Sequence, residues 1–284
     1  MWGIMTSPDA APLRLHGRDL GRHAIMAVVN RTPDSFFDKG ATYGFGAALD
    51  AVDRAVADGA DIIDIGGVKA GPGEDVGVAE ELRRVVDLVA AVRDRHPGVV
   101  ISVDTWRAEV GEAVAAAGAD LLNDTWGGPD PELAEVAAAH GIGLVCAHAG
   151  GLDPRTRPHR TGYGDVVADV VGHVTAEAER ALALGVAREA ILIDPAHDFG
   201  KSTRHSLEIT RRLGELTATG WPVLVAVSNK DFIGETLGRP VDKRGVGTMA
   251  VLGVSALLAA RVFRVHDVAA ARRALDAVAA VVSE

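Results

Sequence analysis

The sequence predicts an α/β protein, a single-domain (β/α)8 TIM barrel over residues 1–284. Three observations carry this. Short, almost wholly apolar, β-branched runs recur along the chain, and a strand apolar on both faces is a strand covered by helices on both sides. Ala-rich stretches with helical spacing separate them. Counted out, the runs are eight, at 24–29, 61–65, 99–104, 119–123, 142–147, 190–194, 222–228 and 261–266, and eight strands alternating with helices close a barrel. An open doubly wound sheet is the other arrangement with this alternation. It carries a G-x-G-x-x-G turn after its first strand, and here "NRTPDSFFDKG" stands there instead.

Each element follows from the local pattern. Residues 1–23 read as a lead-in with a small hairpin at 13–19. After the first strand, "AALDAVDRAVADGA" repeats apolar residues every three and four positions, and Gly59 stands at its C-cap. "RAEVGEAVAAAGA" does the same with Gly118. "GTMAVLGVSALLAARVF" is apolar nearly all round, which suits a buried helix or one at a subunit interface. No Gly-, Ser- or Pro-rich linker divides the chain.

The composition narrows the function. Hydrophobic residues are 48% and aromatics only 4%, so the core is aliphatic. The formal charge of −10 argues against a nucleic-acid surface, which needs a basic face. "RTRPHR" at 155–160 is the densest basic patch and reads as a solvated loop or an anion site. The lone cysteine, Cys146, lies in "IGLVCAHA" and reads as a small buried hydrophobe. There is neither a signal-peptide pattern nor an 18-residue uncharged apolar segment, so a cytoplasmic location is expected, away from membranes.

Barrel active sites lie at the C-terminal strand ends. There the sequence places Asn30, Asp64, Asp104, Asn123 with Asp124, His148, Asp194, Ser228 with Lys230, and Arg264 with His266. One Asn or Asp after a strand is as readily a helix cap; eight polar strand ends point to a ligand. Carboxylates and an amide suit a nitrogen heterocycle, while Lys230, Arg264 and His266 suit an anion. A metal hydrolase on His148, His197 and His266, or a Schiff-base aldolase on Lys230, would each use part of this set. The first lacks paired histidines on a strand, and the second wants its lysine within an apolar strand.

The blocks "IMAVVNRTPDSFFDKG", "ADIIDIGG", "ISVDTWRAEV", "LLNDTWGG", "DPAHDFGKS", "VAVSNKDFIGETLGR" and "RVFRVHDV" resemble the dihydropteroate synthases, in order and over about residues 13–282. The resemblance implies a folate-biosynthesis transferase that joins 6-hydroxymethyl-7,8-dihydropterin diphosphate to p-aminobenzoate and releases diphosphate. It implies pterin contacts at Asp104, Asn123, Asp194, Lys230 and Phe199. Among these, Asp104 and Lys230 would join Arg264 and His266 as the catalytic set, the last two at the diphosphate. Asn30 would face Mg2+, the expected cofactor. Ser228 would lie near the p-aminobenzoate carboxylate, and Thr32, Pro33, Asp34, Ser35 and Phe36 would form a mobile first loop. The expected partners are these small molecules and a second copy of the chain, in a homodimer.

The pattern breaks at the second loop. The family usually reads G-G-E-S-T-R-P-G, and this chain has "GGVKAGPG". Val68, Lys69, Ala70 and Gly71 replace Glu, Ser, Thr and Arg, and Lys69 supplies only a point charge. Asn229 stands for an Arg, Ala147 for a Met, and Ala196, His197 and Asp198 for Gly, an apolar residue and Gly. Three readings remain open at this point: a working synthase with drifted loops, a divergent actinobacterial-type paralogue with weak or different transferase activity, and a non-catalytic pterin-binding protein.

Overall fold

A computed structural model of the chain describes residues 13–33, 40–156 and 162–282. After a two-stranded hairpin, β1 (Arg14–Leu15) with β2 (Arg18–Asp19), eight parallel strands follow: β3 (Ala24–Asn30), β4 (Ile62–Gly66), β5 (Val100–Asp104), β6 (Leu121–Asp124), β7 (Gly143–Ala147), β8 (Ile191–Asp194), β9 (Leu224–Val225) and β10 (Val262–Val265). Their order is β8-β7-β6-β5-β4-β3-β10-β9. A parallel bridge between Ile193 and Val223 joins the two ends of this sheet, helped by the Ile193 N–H donating to the Pro222 carbonyl at 2.9 Å. That is the expected barrel.

The run expected as a strand over 222–228 narrows to Leu224–Val225. Pro222 has no N–H to give the ladder, and the chain turns sharply at Asn229, whose φ is 57°. The hairpin expected at 13–19 pairs Arg14 with Asp19 and Leu15 with Arg18.

Among the helices, α1 (Phe45–Ala57), α2 (Val78–Arg95), α3 (Ala108–Ala116), α4 (Glu132–His140) and α5 (Val166–Leu184) pack outside the first five barrel strands. The connection after β8 holds α6 (Thr203–Arg211) and α7 (Leu213–Thr217); then come α8 (Asp231–Leu237), α9 (Gly245–Leu257) and α10 (Val268–Val282). The all-round apolar helix is α9, which buries Leu252 and Ala256 but leaves Val246 88% exposed. No helix among the described residues is long and apolar enough to cross a membrane.

Two cores result from the two faces of the strands. Ile25, Ile63, Ile65, Ile101, Leu122, Cys146 and Phe263 face outward and pack with the helices. Met26, Ile62, Val100, Leu121, Val145, Leu192 and Val262 face the barrel interior, closed from below by Leu13, Leu15 and Leu20 of the hairpin segment. Side chains alternate along a strand, so two residues beyond this apolar layer the same inward rows carry Asp64, Ser102, Asn123, Asp194 and Arg264. The barrel therefore has an apolar lower layer and a polar upper one.

The hairpin's fit depends on Gly143. A Cβ there would lie 2.6 Å from the Ala190 carbonyl oxygen and 2.7 Å from Leu15 Cδ2. Gly143→Ala should cost about 1–3 kcal/mol through overpacking against backbone, read as a lower denaturant midpoint. An unchanged midpoint would mean the hairpin yields freely.

Candidate functional site

The upper layer is one connected network. Arg264 Nε donates to Asp64 Oδ2 at 2.6 Å, and its Nη2 donates to Asp104 Oδ2 at 3.0 Å. Ser102 Oγ donates to Asp64 Oδ1 at 2.6 Å. Asn123 Nδ2 donates to both Asp64 oxygens at 3.3 Å, and Thr125 Oγ1 donates to Asp104 Oδ1 at 3.1 Å. Asp64 is fully buried. Burial lowers the pKa of Arg264, and the charges of Asp64 and Asp104 more than offset this. Burial raises the Asp104 carboxyl, Arg264 opposes that, and Asp64 adds to it.

Because Asp64 accepts from the Asn123 amide nitrogen, the orientation of that amide is fixed. Asn123 Oδ1 is buried with no hydrogen-bond partner. An unpaired buried oxygen costs about 1–3 kcal/mol, so this atom is an acceptor that an N–H donor could satisfy.

Asp194 ends β8. Burial raises its pKa, while Lys230 and the Ala196 N–H, 2.7 Å from Oδ1, act the other way. Lys230 Nζ lies 4.6 Å above the Phe199 ring and donates to the His197 carbonyl. Phe199 meets Trp126 edge-on with 5.2 Å between ring centres. Burial lowers the Lys230 ammonium, with Asp198 and Asp194 holding it up. Asp104, Asn123, Asp194, Lys230 and Arg264 thus come together at one mouth, as the strand-end argument expects, and Phe199 lies with them against Lys230.

Other expected residues have different surroundings. His266 pairs through Nδ1 with Ser228 Oγ at 2.9 Å, and the same oxygen accepts from the His266 N–H at 3.2 Å. Ser228 is therefore already engaged within the protein. Asn30 ends β3 beside Gly66, where a Cβ would lie 3.1 Å from Asn30 Oδ1; the glycine keeps that oxygen uncrowded. Thr32 is buried and its hydroxyl has no partner among the described residues, whereas Pro33 is exposed. Asp34, Ser35 and Phe36 lie outside the described residues. Lys69 is half-buried, and its Cε is the nearest atom, at 3.8 Å, to where a Gly71 Cβ would stand.

Lys201 is a residue the strand-end reasoning misses. It is 2% exposed, and its ammonium donates to the carbonyls of His148 at 2.6 Å, Phe199 at 2.8 Å and Ala196 at 3.2 Å. One cation therefore binds the loop after β7 to the loop after β8. Burial pulls its pKa down to about 7, against the pull of Asp194. The only sequence signal was a Lys directly after Gly200, at the end of a site loop. The histidines of a metal-hydrolase reading are scattered: His148 pairs with Asp169 at 2.7 Å, while His197 stacks on Phe232 and reaches Thr210 at 3.1 Å. Among the described residues no group of three or more His, Cys, Asp or Glu could hold a metal.

The pterin-binding enzyme family matches residues 26–266 of this chain. The chain belongs to that family. It is 60% identical over 264 residues to a Mycobacterium tuberculosis protein named inactive dihydropteroate synthase 2, covering 92% of this chain and 83% of that one. Its fold matches Yersinia pestis dihydropteroate synthase in a sulfonamide complex with a TM-score of 0.89 and 36% identity, over 95% of this chain and 98% of that one. It also matches Xanthomonas albilineans dihydropteroate synthase with 4-aminobenzoic acid, with a TM-score of 0.87 and 36% identity, over 97% and 99%.

Three rim residues hold left-handed backbone without being glycine: Ala196 at φ 47°, Asp198 at φ 69° and Asn229 at φ 57°. Asp and Asn adopt this region at modest cost, and Ala does so at about 1–2 kcal/mol. Ala196→Gly should therefore stabilise the fold by about 1 kcal/mol, seen as a raised denaturant midpoint. Asp64→Ala should cost about 3–5 kcal/mol, because it leaves a buried guanidinium short of its main partner. A loss below about 1 kcal/mol in the same denaturation experiment would show that the network does not hold the barrel.

Proposed function

We propose that this chain binds a pterin in the upper layer of its barrel and is a divergent dihydropteroate synthase paralogue, with weak or altered transferase activity toward p-aminobenzoate. The observation that carries the first half is Asn123 Oδ1, a buried acceptor without a partner, on the layer that also holds Asp104 and Asp194. A fused heterocycle with an amidine-like edge supplies N–H groups to such a set, and Asp194 as a carboxylate accepts two of them. Phe199 and Lys230 would cover the ring.

The second half rests on the rim. Ala70 and Gly71 line the cavity where a second substrate would join, and neither offers the hydroxyl or the guanidinium usual there. The similarity to a protein named inactive dihydropteroate synthase 2 supports the same reading. In the transfer itself, the amine nitrogen would bond to the pterin methylene carbon as the carbon–oxygen bond to diphosphate breaks. The electron pair would leave with diphosphate, and one amine proton would pass to water.

Mg2+ suits the Asn30 end of β3, since that ion commonly takes one or two protein oxygens and fills its shell with phosphate and water. When bound, it would neutralise charge on the leaving diphosphate. His266, held by Ser228, lies at the neighbouring end of β10. A homodimer would suit the exposed apolar residues Val246, Val254 and Leu257 of α9 with Val281 of α10.

Calorimetry with 6-hydroxymethylpterin tests the floor. Asp194→Ala should abolish the binding heat, and an unchanged affinity would reject the pterin assignment. Affinity should also fall as the pH is lowered from neutrality, and fall earlier than protonation of an ordinary carboxylate would make it. Burial raises the Asp194 pKa, so the accepting carboxylate is present above that value and lost as pH falls through it. With pterin diphosphate, p-aminobenzoate-dependent diphosphate release should run roughly ten- to a hundredfold below that of a synthase keeping the rim Thr and Arg, the worth of one charge-assisted hydrogen bond. Equal rates would restore the full synthase reading.

A further inference from the structure

Beside the floor, at the rim, lies a cavity of about 230 Å³. It shares Phe199 and Lys230 with the heterocycle layer and is completed by Trp126, Gly71, Asp198 and Asp231. Two aromatic walls meeting edge-on suit a flat ring, and the shared Phe199 places such a ring next to the floor. The charges around this space are what set its preference.

Every charged group lining it has a partner within the protein. Lys230 is taken by the His197 carbonyl and the face of Phe199. Asp198 accepts from Ser206 Oγ at 3.0 Å and from the Phe232 N–H at 3.2 Å. Asp231 accepts from Arg244 at 2.8 Å. The nearby guanidiniums are turned to backbone: Arg155 donates to the carbonyls of Gly71 and Glu74, and Arg244 also donates to that of Asn229. Lys69, whose Cε stands 3.8 Å from where a Gly71 Cβ would lie, is engaged as well, so among the described residues the charges lining this space and the cations beside it each have a partner before a carboxylate enters. Such an anion would lose its water and meet two acidic side chains.

We propose that the rim cavity takes an uncharged aromatic amine, with a neutral polar group such as a carboxamide at the far end, in place of an aminobenzoate. This rests on the pterin reading of the floor and names the partner that reading leaves open. Gly71 is the lining position at which a cation could be added to reverse that preference. Its φ is not left-handed, and a Cβ there would meet nothing closer than Lys69 Cε at 3.8 Å, so a side chain fits without strain.

The test measures binding of three compounds to the full chain by calorimetry: 6-hydroxymethylpterin, pteroic acid, and the primary amide of pteroic acid. The amide should bind roughly tenfold or more tightly than the acid. Gly71→Arg should raise the affinity for the acid roughly tenfold while changing that for the amide less than about threefold. Acid and amide binding alike, or the acid binding more tightly, with 6-hydroxymethylpterin still bound, would overturn the inference and leave the floor assignment standing. Loss of all three would overturn both. Should Gly71→Arg fail to fold, the comparison of acid with amide on the unmodified chain decides alone.

Discussion

The contact between Asp64 and Arg264 is the one on which the rest of the site depends. It joins residues 200 apart in sequence, on strands β4 and β10, inside the barrel. A buried ion pair is weak evidence for stability, because desolvation offsets much of the attraction. Its value here is positional. With Asp64 also receiving Ser102 Oγ and the Asn123 amide, three strands are registered to a fourth through one carboxylate. The amide that results keeps its nitrogen on Asp64 and leaves its oxygen without a partner. The same pair engages Arg264 within the protein. A lone guanidinium at a strand end reads as an anion clamp, but this one already serves Asp64 and Asp104. Its charge is shared before any ligand arrives.

The lower and upper layers explain how much of this was legible in the sequence. Eight apolar runs gave the barrel because buried strands are a local property. The polar ends were legible as a group, because barrel geometry brings all strand ends to one mouth. Period-two alternation carried more than the strand-end reading took from it. Counting two residues on from Ile62, Val100, Leu121, Leu192 and Val262 lands on Asp64, Ser102, Asn123, Asp194 and Arg264. Asp64 was visible as a strand end, but its partners were not, since the pairing spans the barrel. Lys201 was harder still: its acceptors are main-chain carbonyls from two loops, and a carbonyl leaves no trace in residue identity. The shortening of β9 was foreshadowed by Pro222 alone.

Floor and rim differ in how firmly they are held. Floor residues stand on strands whose ladder fixes backbone and direction, so replacing one leaves a buried partner unsatisfied. Rim residues stand on loops whose backbone bonds are made by arginines and by Lys201. Arg31 donates to the carbonyls of Tyr43 and Arg84, and Arg84 to that of Gly67. Arg107 holds the carbonyl of Val76 and the buried Glu81. These bonds hold the loops without using any side chain at Ala70 or Gly71. Those positions are free to change what the rim recognises while the barrel keeps its shape.

The left-handed positions sharpen this. A glycine at 198 would reach φ 69° without strain but would bring no side chain. Asp198 bears a modest backbone cost and places a carboxylate where it caps the start of α8 at the Phe232 N–H, receives Ser206 Oγ, and lines the rim cavity. Burial raises its pKa against the charge of Lys230, so the group is held by neighbours rather than by water. Asn229, also left-handed, adds an uncharged amide to the same wall. Nothing in the structure explains the side chain at Ala196, whereas at Asp198 and Asn229 the left-handed backbone comes with a polar side chain on the cavity wall.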